Sequence, residues 1–271
     1  MICCSMMGQI TSELDYIYES VDNNTENRNY SDDELLIIVE ENKISNNTNI
    51  FDFININNKL EDIIRSIDLY LKNDNDINVQ DSNGNTLLMK AISIGYYDLS
   101  DYLIDNNADI SITNKNGENA LILSANYPYI MYLLINNNAD INLADNNGKT
   151  ALHYACTYGN LYSVKLLVKS GADINKKDIL GKNILMYAVE NEHLELIKYI
   201  IEKVKFNINE KDDWGQNAIF FATKIEIARY LIYNNIDYKE SKNIGLKAYE
   251  VMKYNGYINV STYLKNLGKR L

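Results

Sequence analysis

Apolar residues between positions 145 and 177 fall into two short groups, each with helical spacing. The first group is broken at Gly159, and the second ends at Gly171, where a polar segment begins. Residues three and four apart share a helix face, so each group predicts a helix with one buried side. Glycine tolerates the left-handed backbone that a helix end requires, so two helices joined by a tight turn are expected. The apolar positions are Ala151, Leu152, Ala155, Val164, Leu166, Leu167 and Val168.

This pattern recurs along the chain with a period close to 33 residues. One landmark is a glycine that closes a polar turn, and successive glycines lie 33, 31, 33, 34 and 30 residues apart. These glycines are Gly84, Gly117, Gly148, Gly181, Gly215 and Gly245. A second landmark, ADIN or a variant, recurs at 75–78, 108–111, 139–142, 172–175, 206–209 and 235–238. One helix pair cannot bury its apolar faces alone, so the period predicts a stack of units.

The segment TALHYA at 150–155 resembles the ankyrin signature T-P-L-H-x-A, whose repeat has 33 residues. The resemblance covers residues 49–271 and implies an all-α solenoid of helix–turn–helix units with β-turn or hairpin connectors. It also implies that His153 has a structural role in bonding the turn. The signature proline is missing from every unit, since Pro128 is the only proline in the chain.

We predict two regions in the chain. Residues 1–48 lack the period and form an acidic, asparagine-rich extension with short helices, one of them starting at the capping box SDDE. This extension either caps the first repeat or binds a partner. Residues 49–271 form the array, in which two units are shorter than the 33-residue period. The predicted divisions are 49–80 (N-terminal cap), 81–113, 114–144, 145–177, 178–211, 212–241 and 242–271 (C-terminal cap).

Composition and charge exclude several classes of function for this chain. Hydrophobic residues make up 46% of the chain, which is enough for a packed core. The formal net charge of −11 repels phosphate backbones and disfavours nucleic-acid binding. We find no apolar run long enough to span a membrane, no secretory signal and no disulfide framework among three cysteines. An intracellular, cytoplasmic protein is therefore expected.

Lipid anchoring at the N-terminus is the minor alternative for localisation. If translation began at Met7, the segment MGQITS would match the N-myristoylation pattern. Cys3 and Cys4 offer acylation sites of another kind. Such motifs are short and arise by chance, so they do not change the main expectation.

The stretch GKTALHYACTYGN at 148–160 contains parts of three chemical sites and completes none of them. A phosphate-binding loop needs a glycine five residues before Gly148, where Leu143 stands. His153 and Cys156 share a helix face, but no third group orients them for nucleophilic catalysis. The two histidines of the chain fall in different units, which is too few for a zinc site. We predict no catalytic residue, metal or cofactor, and no enzymatic activity.

The resemblance to ankyrin repeats implies a concave binding face made of the turns and the exposed sides of the first helices. Most side chains at these positions are polar, but a few are apolar or aromatic on neighbouring turns. Exposed apolar and aromatic clusters are typical of interfaces, although these side chains could instead cover one another. The predicted partner-binding residues are Tyr158, Ile179, Leu180, Trp214, Ile94 and Asp213.

The function predicted from these observations is a monomeric, non-catalytic protein-interaction module or adaptor. Its acidic surface favours a protein partner with a basic rim, because opposite charge speeds the encounter. Two alternatives remain open. The solenoid could associate with copies of itself, or it could serve as a targeting arm for an activity in residues 1–48 or on another chain.

Overall fold

The computed structural model describes residues 49–55, 57–239 and 245–267. The predicted capping box at 31–34 and the residues of the lipid-anchoring alternative lie outside these residues. The described part contains twelve α-helices, and the predicted all-α fold is confirmed. They are α1 (Leu60–Lys72), α2 (Leu87–Ser93), α3 (Tyr97–Asp105), α4 (Ala120–Leu123), α5 (Pro128–Asn136), α6 (Ala151–Tyr158), α7 (Leu161–Lys169), α8 (Ile184–Glu190), α9 (Leu194–Tyr199), α10 (Ile225–Tyr233), α11 (Ala248–Tyr254) and α12 (Ile258–Leu267).

Four shorter helical segments accompany them. They are the 3₁₀ helices Ile50–Asp52, Ser124–Asn126 and Ala218–Phe221, and the π-helix Ile200–Val204. The chain divides into two units, residues 1–53 and 54–271, and all twelve α-helices lie in the second. Of the first unit the structure describes residues 49–53, where the side chain of Asn49 accepts a hydrogen bond from the Phe51 amide at 3.2 Å.

Helix pairs of the second unit stack on their neighbours in chain order. The first helices α2, α4, α6 and α8 contact one another in succession, and so do the second helices α1, α3, α5 and α7. Five of the seven apolar positions predicted for residues 145–177 are buried between these layers. Leu166 and Val168 are only half-buried, because α7 turns one side away from the stack.

In the polar turns that end at Gly84, Gly117, Gly148, Gly181 and Gly215, the Asp or Asn three residues before the glycine folds the turn, whereas residues 242–244, before Gly245, lie outside the described residues. In the third of these turns, Asp145 Oδ1 accepts hydrogen bonds from the amides of Asn147 at 2.9 Å and Lys149 at 2.8 Å. The amide of Gly148 donates to the Asp145 carbonyl oxygen at 2.9 Å. The same bonds recur in turns that begin at Asp81, Asn114, Asp178 and Asp212. We call each four-residue turn from this residue to its glycine a tip.

Neighbouring tips are joined directly by backbone hydrogen bonds. The Asn146 amide donates to the Asn116 carbonyl oxygen at 2.9 Å, and the Ile179 amide donates to the Asn147 carbonyl oxygen at 2.9 Å. The Asp213 amide continues the row to the Leu180 carbonyl oxygen at 3.2 Å. The main chain therefore sets the spacing between tips, and the Asn146 side chain adds a bond to the Lys115 carbonyl oxygen at 2.9 Å.

The ADIN landmarks and the helix turns provide two further rows of cross-unit bonds. The side chain of Asn142 accepts from the Asp173 amide at 2.8 Å, and equivalent bonds join Asn78 to Asp109 and Asn209 to Asp237. At the other end of the first helices, His193 Nε2 lies 2.9 Å from the carbonyl oxygen of Thr157. Neighbouring units are thus tied together at the tips, and some pairs are tied again at a connector or at a helix turn.

The two shortened units use 3₁₀ structure to span the stack with fewer residues. In unit 114–144 the four-residue α4 continues into the 3₁₀ helix Ser124–Asn126, and in unit 212–241 the 3₁₀ helix Ala218–Phe221 replaces the first α-helix. A 3₁₀ helix rises about 2.0 Å per residue against 1.5 Å for an α-helix, so the missing residues cost little length. Pro128 begins α5, a position where its missing amide hydrogen is not needed.

Substituting Gly148 by alanine tests the close approach of neighbouring tips. Gly148 has φ +75°, and an added Cβ would lie 3.0 Å from the Ile179 nitrogen and 3.1 Å from the Asp178 Cα. The left-handed backbone alone costs about 1–2 kcal/mol for alanine, and displacing the next tip adds at least about 1 kcal/mol. Urea unfolding of the Gly148→Ala variant should therefore show a clearly lower midpoint.

The matched control is Gly171→Ala, since Gly171 also has a positive φ, +93°, but no atom within 4 Å of an added Cβ. This variant should lose only the backbone contribution. Equal midpoints for the two variants would show that contact between tips does not restrict Gly148.

Candidate functional site

Two adjacent tips carry exposed apolar side chains. Ile179 is 62% exposed, Leu180 43% and Trp214 45%, although side chains of this size are usually more covered. Asp213 is also exposed, and its amide bond to Leu180 holds the two tips side by side. The structure therefore brings four of the six predicted partner-binding residues together on one edge.

The other two predicted residues lie at the far end of the first helices. Tyr158, 53% exposed, is the last residue of α6, whereas the tip precedes the first residue of that helix. An eight-residue helix is about 12 Å long, so Tyr158 stands roughly that distance from the tips. Ile94 occupies the corresponding place after α2 and is half-buried. The predicted residues thus form two groups separated by the length of a first helix.

A row of lysine and aromatic side chains, missed by the sequence analysis, runs just inside the tips. Lys149 Nζ lies 5.6 Å from the ring centroid of Tyr154 and 4.9 Å from that of Tyr187. Lys182 Nζ lies 4.7 Å from the ring centroid of Tyr187 and 4.6 Å from that of Phe221. Cations over aromatic faces are attracted by the ring quadrupole. These five residues are the lysine–aromatic row.

The tips themselves hold two of these rings in place. Tyr154 Oη donates a hydrogen bond to Asp145 Oδ2 at 2.7 Å, and Tyr187 Oη donates to Asp178 Oδ2 at 2.6 Å. Burial, with these bonds to carboxylates, raises the pKa of both tyrosines, so the hydroxyls remain neutral donors. Each aspartate therefore folds its tip with one oxygen and positions a ring with the other.

The third ring, Phe221, lacks a hydroxyl, and the second oxygen of its tip aspartate, Asp212, lacks a hydrogen-bond donor. Phe221 follows Asp212 by nine residues, the same interval that separates Tyr154 from Asp145. Asp212 Oδ2 is buried with no hydrogen-bond partner, and burial raises the pKa of this carboxyl group. An unsatisfied buried acceptor destabilises the fold, so this tip is a weak point of the stack.

His153 and Cys156 occupy structural positions. Cys156 is fully buried, and burial raises the pKa of its thiol, which disfavours the thiolate that a nucleophile requires. The buried ring of His153 accepts a hydrogen bond from the Thr150 amide at its Nδ1, 3.1 Å away, and burial lowers its pKa to about 4. The imidazole thus caps α6, and the thiol fills the core.

Across residues 49–55, 57–239 and 245–267 there is no group of three or more His, Cys, Asp or Glu side chains placed to hold a metal ion. In the same residues no helix combines the length and apolar character needed to cross a membrane.

Comparison with protein families agrees with the repeating geometry. A family model described as ankyrin repeats (3 copies) matches residues 54–145, 96–178 and 176–242. These matches together cover most of the chain, including every tip and the whole lysine–aromatic row. A search of curated proteins returned no match.

Adding a hydroxyl at Phe221 should stabilise the tip that begins at Asp212. In the Phe221→Tyr variant the new hydroxyl can donate to Asp212 Oδ2, which has no donor in the wild type. We expect a gain of about 1 kcal/mol, the net value of one hydrogen bond, measured as a higher urea midpoint. The reverse change, Tyr187→Phe, should cost about 1–3 kcal/mol, because it leaves the buried Asp178 oxygen without a donor. An unchanged or lower midpoint for Phe221→Tyr would contradict this account of Asp212.

The buried histidine should make stability depend on pH in a defined window. The folded pKa of about 4 lies below the unfolded value of 6.5, so the unfolded chain takes up the proton first as the pH falls. The stabilisation from neutral His153 is therefore complete above pH 6.5 and is lost towards pH 4, by up to about 3 kcal/mol.

The His153→Gln variant retains an acceptor but does not titrate, so it isolates this contribution. Urea unfolding of both proteins at about pH 7.5 and about pH 4.5 should show a smaller difference between them at the lower pH. A difference that does not change with pH would mean that His153 is protonated equally in the folded and unfolded states.

Proposed function

Because the chain belongs to the ankyrin repeat family, we propose that it is a non-catalytic adaptor that binds a partner protein through its tips and first helices. Ankyrin repeats are generally protein–protein interaction modules. The observation that carries the proposal for this chain is the exposure of Ile179, Leu180 and Trp214 on two adjacent tips. Contiguous apolar patches with a tryptophan are the usual anchors of protein interfaces.

The backbone under the proposed anchor is already ordered before any partner arrives. Ile179 and Leu180 lie on a tip whose amides are bonded to Asp178 and to the preceding tip. Trp214 lies on the next tip, where its amide donates to Asp212 Oδ1 at 3.0 Å. A surface that needs little ordering on binding keeps more of its contact energy as affinity.

The net charge of the chain supports a partner with a basic surface. A net charge of −11 would attract a partner with a basic rim and speed its encounter, and added salt would reduce that effect. We further propose that the protein acts as a monomer inside the cell, with residues 1–48 as an extension and the array divided as predicted above.

Removing the apolar anchor should abolish partner binding while leaving the fold intact. In the variant Ile179→Ser/Leu180→Ser/Trp214→Ala, three exposed side chains are truncated, so unfolding should change little whereas an anchor residue costs at least about 2 kcal/mol of binding. The measurement is affinity capture from a lysate of the source or host cell with wild type and variant, quantified by mass spectrometry.

The matched control is Tyr162→Ser/Tyr233→Ser, which removes two side chains that are 49% and 84% exposed but lie on the second helices α7 and α10, away from the tips. We call Ile179→Ser/Leu180→Ser/Trp214→Ala the tip variant. Loss of a partner with the tip variant and its retention with the control would support the proposal. A partner retained by the tip variant, or lost equally with both variants, contradicts it. If wild type alone is a dimer by light scattering and the tip variant is a monomer, the apolar tips serve self-association instead.

A further inference from the structure

Two consecutive units carry the same lysine with different surroundings. Lys149 and Lys182 each follow the glycine of a tip and lie over two aromatic rings of the lysine–aromatic row. Lys182 Nζ also pairs with Glu190 Oε2 at 2.6 Å. Nine residues separate Glu190 from Gly181, and the residue at that interval from Gly148 is Thr157. The unit of Lys149 therefore lacks the carboxylate that its neighbour supplies.

The rest of the described chain does not replace that carboxylate. Among residues 49–55, 57–239 and 245–267, Lys149 forms no ion pair, and its ammonium group donates no hydrogen bond to a protein acceptor. The nearby tip aspartates, Asp145 and Asp178, already accept bonds from their own amides and from Tyr154 and Tyr187. Lys149 is half-buried, so this cation is partly removed from water, and no carboxylate of the described residues pairs with it directly.

The next unit shows a carboxylate bound to the equivalent lysine, Lys182. Glu190 reaches Lys182 from the last residue of α8, and the pair lies in the open part of the first-helix face, where Glu190 is exposed. Thr157 stands at the matching point of α6 with its hydroxyl turned back to the His153 carbonyl oxygen at 2.9 Å. Thr157 therefore offers Lys149 no carboxylate, whereas Glu190 offers one to Lys182.

We propose that Lys149 is the subsite for a carboxylate, an Asp or Glu side chain on an extended segment of the bound partner. This inference rests on the proposed function and names the chemistry of its central contact. The pairing in the next unit supports it, because Lys182 binds the Glu190 carboxylate there, whereas Lys149 has no ion pair among the described residues. Contact with a carboxylate also agrees with a partner whose rim is basic, since rim and centre face different parts of this surface.

The position of Lys149 also sets the order of contacts along the segment. Its ammonium lies over Tyr154, the fourth residue of α6, between the apolar tips and Tyr158 at the end of that helix. An extended chain advances about 3.3 Å per residue, so about four residues span the roughly 12 Å from tip to Tyr158. The expected segment places an apolar residue on Ile179 and Leu180, a carboxylate about two residues away, and a further contact on Tyr158.

The test is selection from a displayed library of random peptides with the full chain as bait. Wild type should enrich segments in which Asp or Glu lies about two residues from a large apolar residue. The best segment, synthesised and titrated by fluorescence anisotropy, should bind Lys149→Met at least about tenfold more weakly, the usual effect of removing a charged hydrogen-bond partner.

The Thr157→Glu variant provides the sharper test, because it retains Lys149 and offers it an internal carboxylate, as Glu190 does for Lys182. This variant should also bind the segment at least about tenfold more weakly. The matched control Thr157→Gln has nearly the same size and no charge, so it should bind the segment more tightly than Thr157→Glu, and the difference isolates the effect of the carboxylate. Thermal unfolding of each variant checks that the fold is retained.

The outcomes separate this inference from the proposed function. Binding that is lost with Ile179→Ser/Leu180→Ser/Trp214→Ala but unchanged by Lys149→Met and Thr157→Glu overturns the carboxylate subsite and leaves the proposed function standing. Enriched segments without acidic residues also overturn it. If wild type enriches no segment, or if binding depends on neither group of residues, both the subsite and the proposed function fail.

Discussion

The structure depends on one interaction at the start of each tip. There, a single side-chain oxygen accepts hydrogen bonds from two backbone amides. Asp145 Oδ1 closes its turn in this way, and the four other tips that the structure describes repeat the geometry. A closed tip presents one amide and one carbonyl group to its neighbours, and these form the row of bonds between units. A stacked array is stabilised by contacts between neighbouring units. This local turn therefore determines whether successive helix pairs stack in register.

The choice between Asp and Asn at that position determines what else the tip can organise. Asp145 and Asp178 have a second oxygen, which holds the hydroxyl of a tyrosine nine residues later. Asn114 has an amide nitrogen there instead, which donates to Glu118 Oε2 at 2.9 Å, and Leu123 occupies the tyrosine position. The lysine–aromatic row consequently exists only where an aspartate tip and an aromatic ring coincide, so scaffold and candidate binding face share the same carboxylates.

The sequence predicted the repeating backbone well, because its landmarks report local conformation. Gly148 marks a left-handed residue and ADIN marks a connector, so helix pairs and their order could be predicted without any knowledge of packing. Contacts between side chains of different units could not be predicted from these local landmarks. Lys149 meets the ring of Tyr187, 38 residues later, only because two tips are in register. The separation of Tyr158 from the tips likewise depends on the length of α6. A signal for the row did exist, since aromatic residues follow Gly148, Gly181 and Gly215 at the same interval.

The tip geometry also bears on how this protein ages chemically. The tips ending at Gly84, Gly117 and Gly148 each contain an Asn-Gly step, the dipeptide most prone to spontaneous deamidation. That reaction requires the glycine nitrogen to attack the asparagine side chain and close a succinimide ring. In all three tips this nitrogen is instead held by the carbonyl oxygen of the turn's first residue at 2.9 Å. A folded tip therefore shields its Asn-Gly step, and slow conversion of these three asparagines to isoaspartate would begin where a tip has come apart.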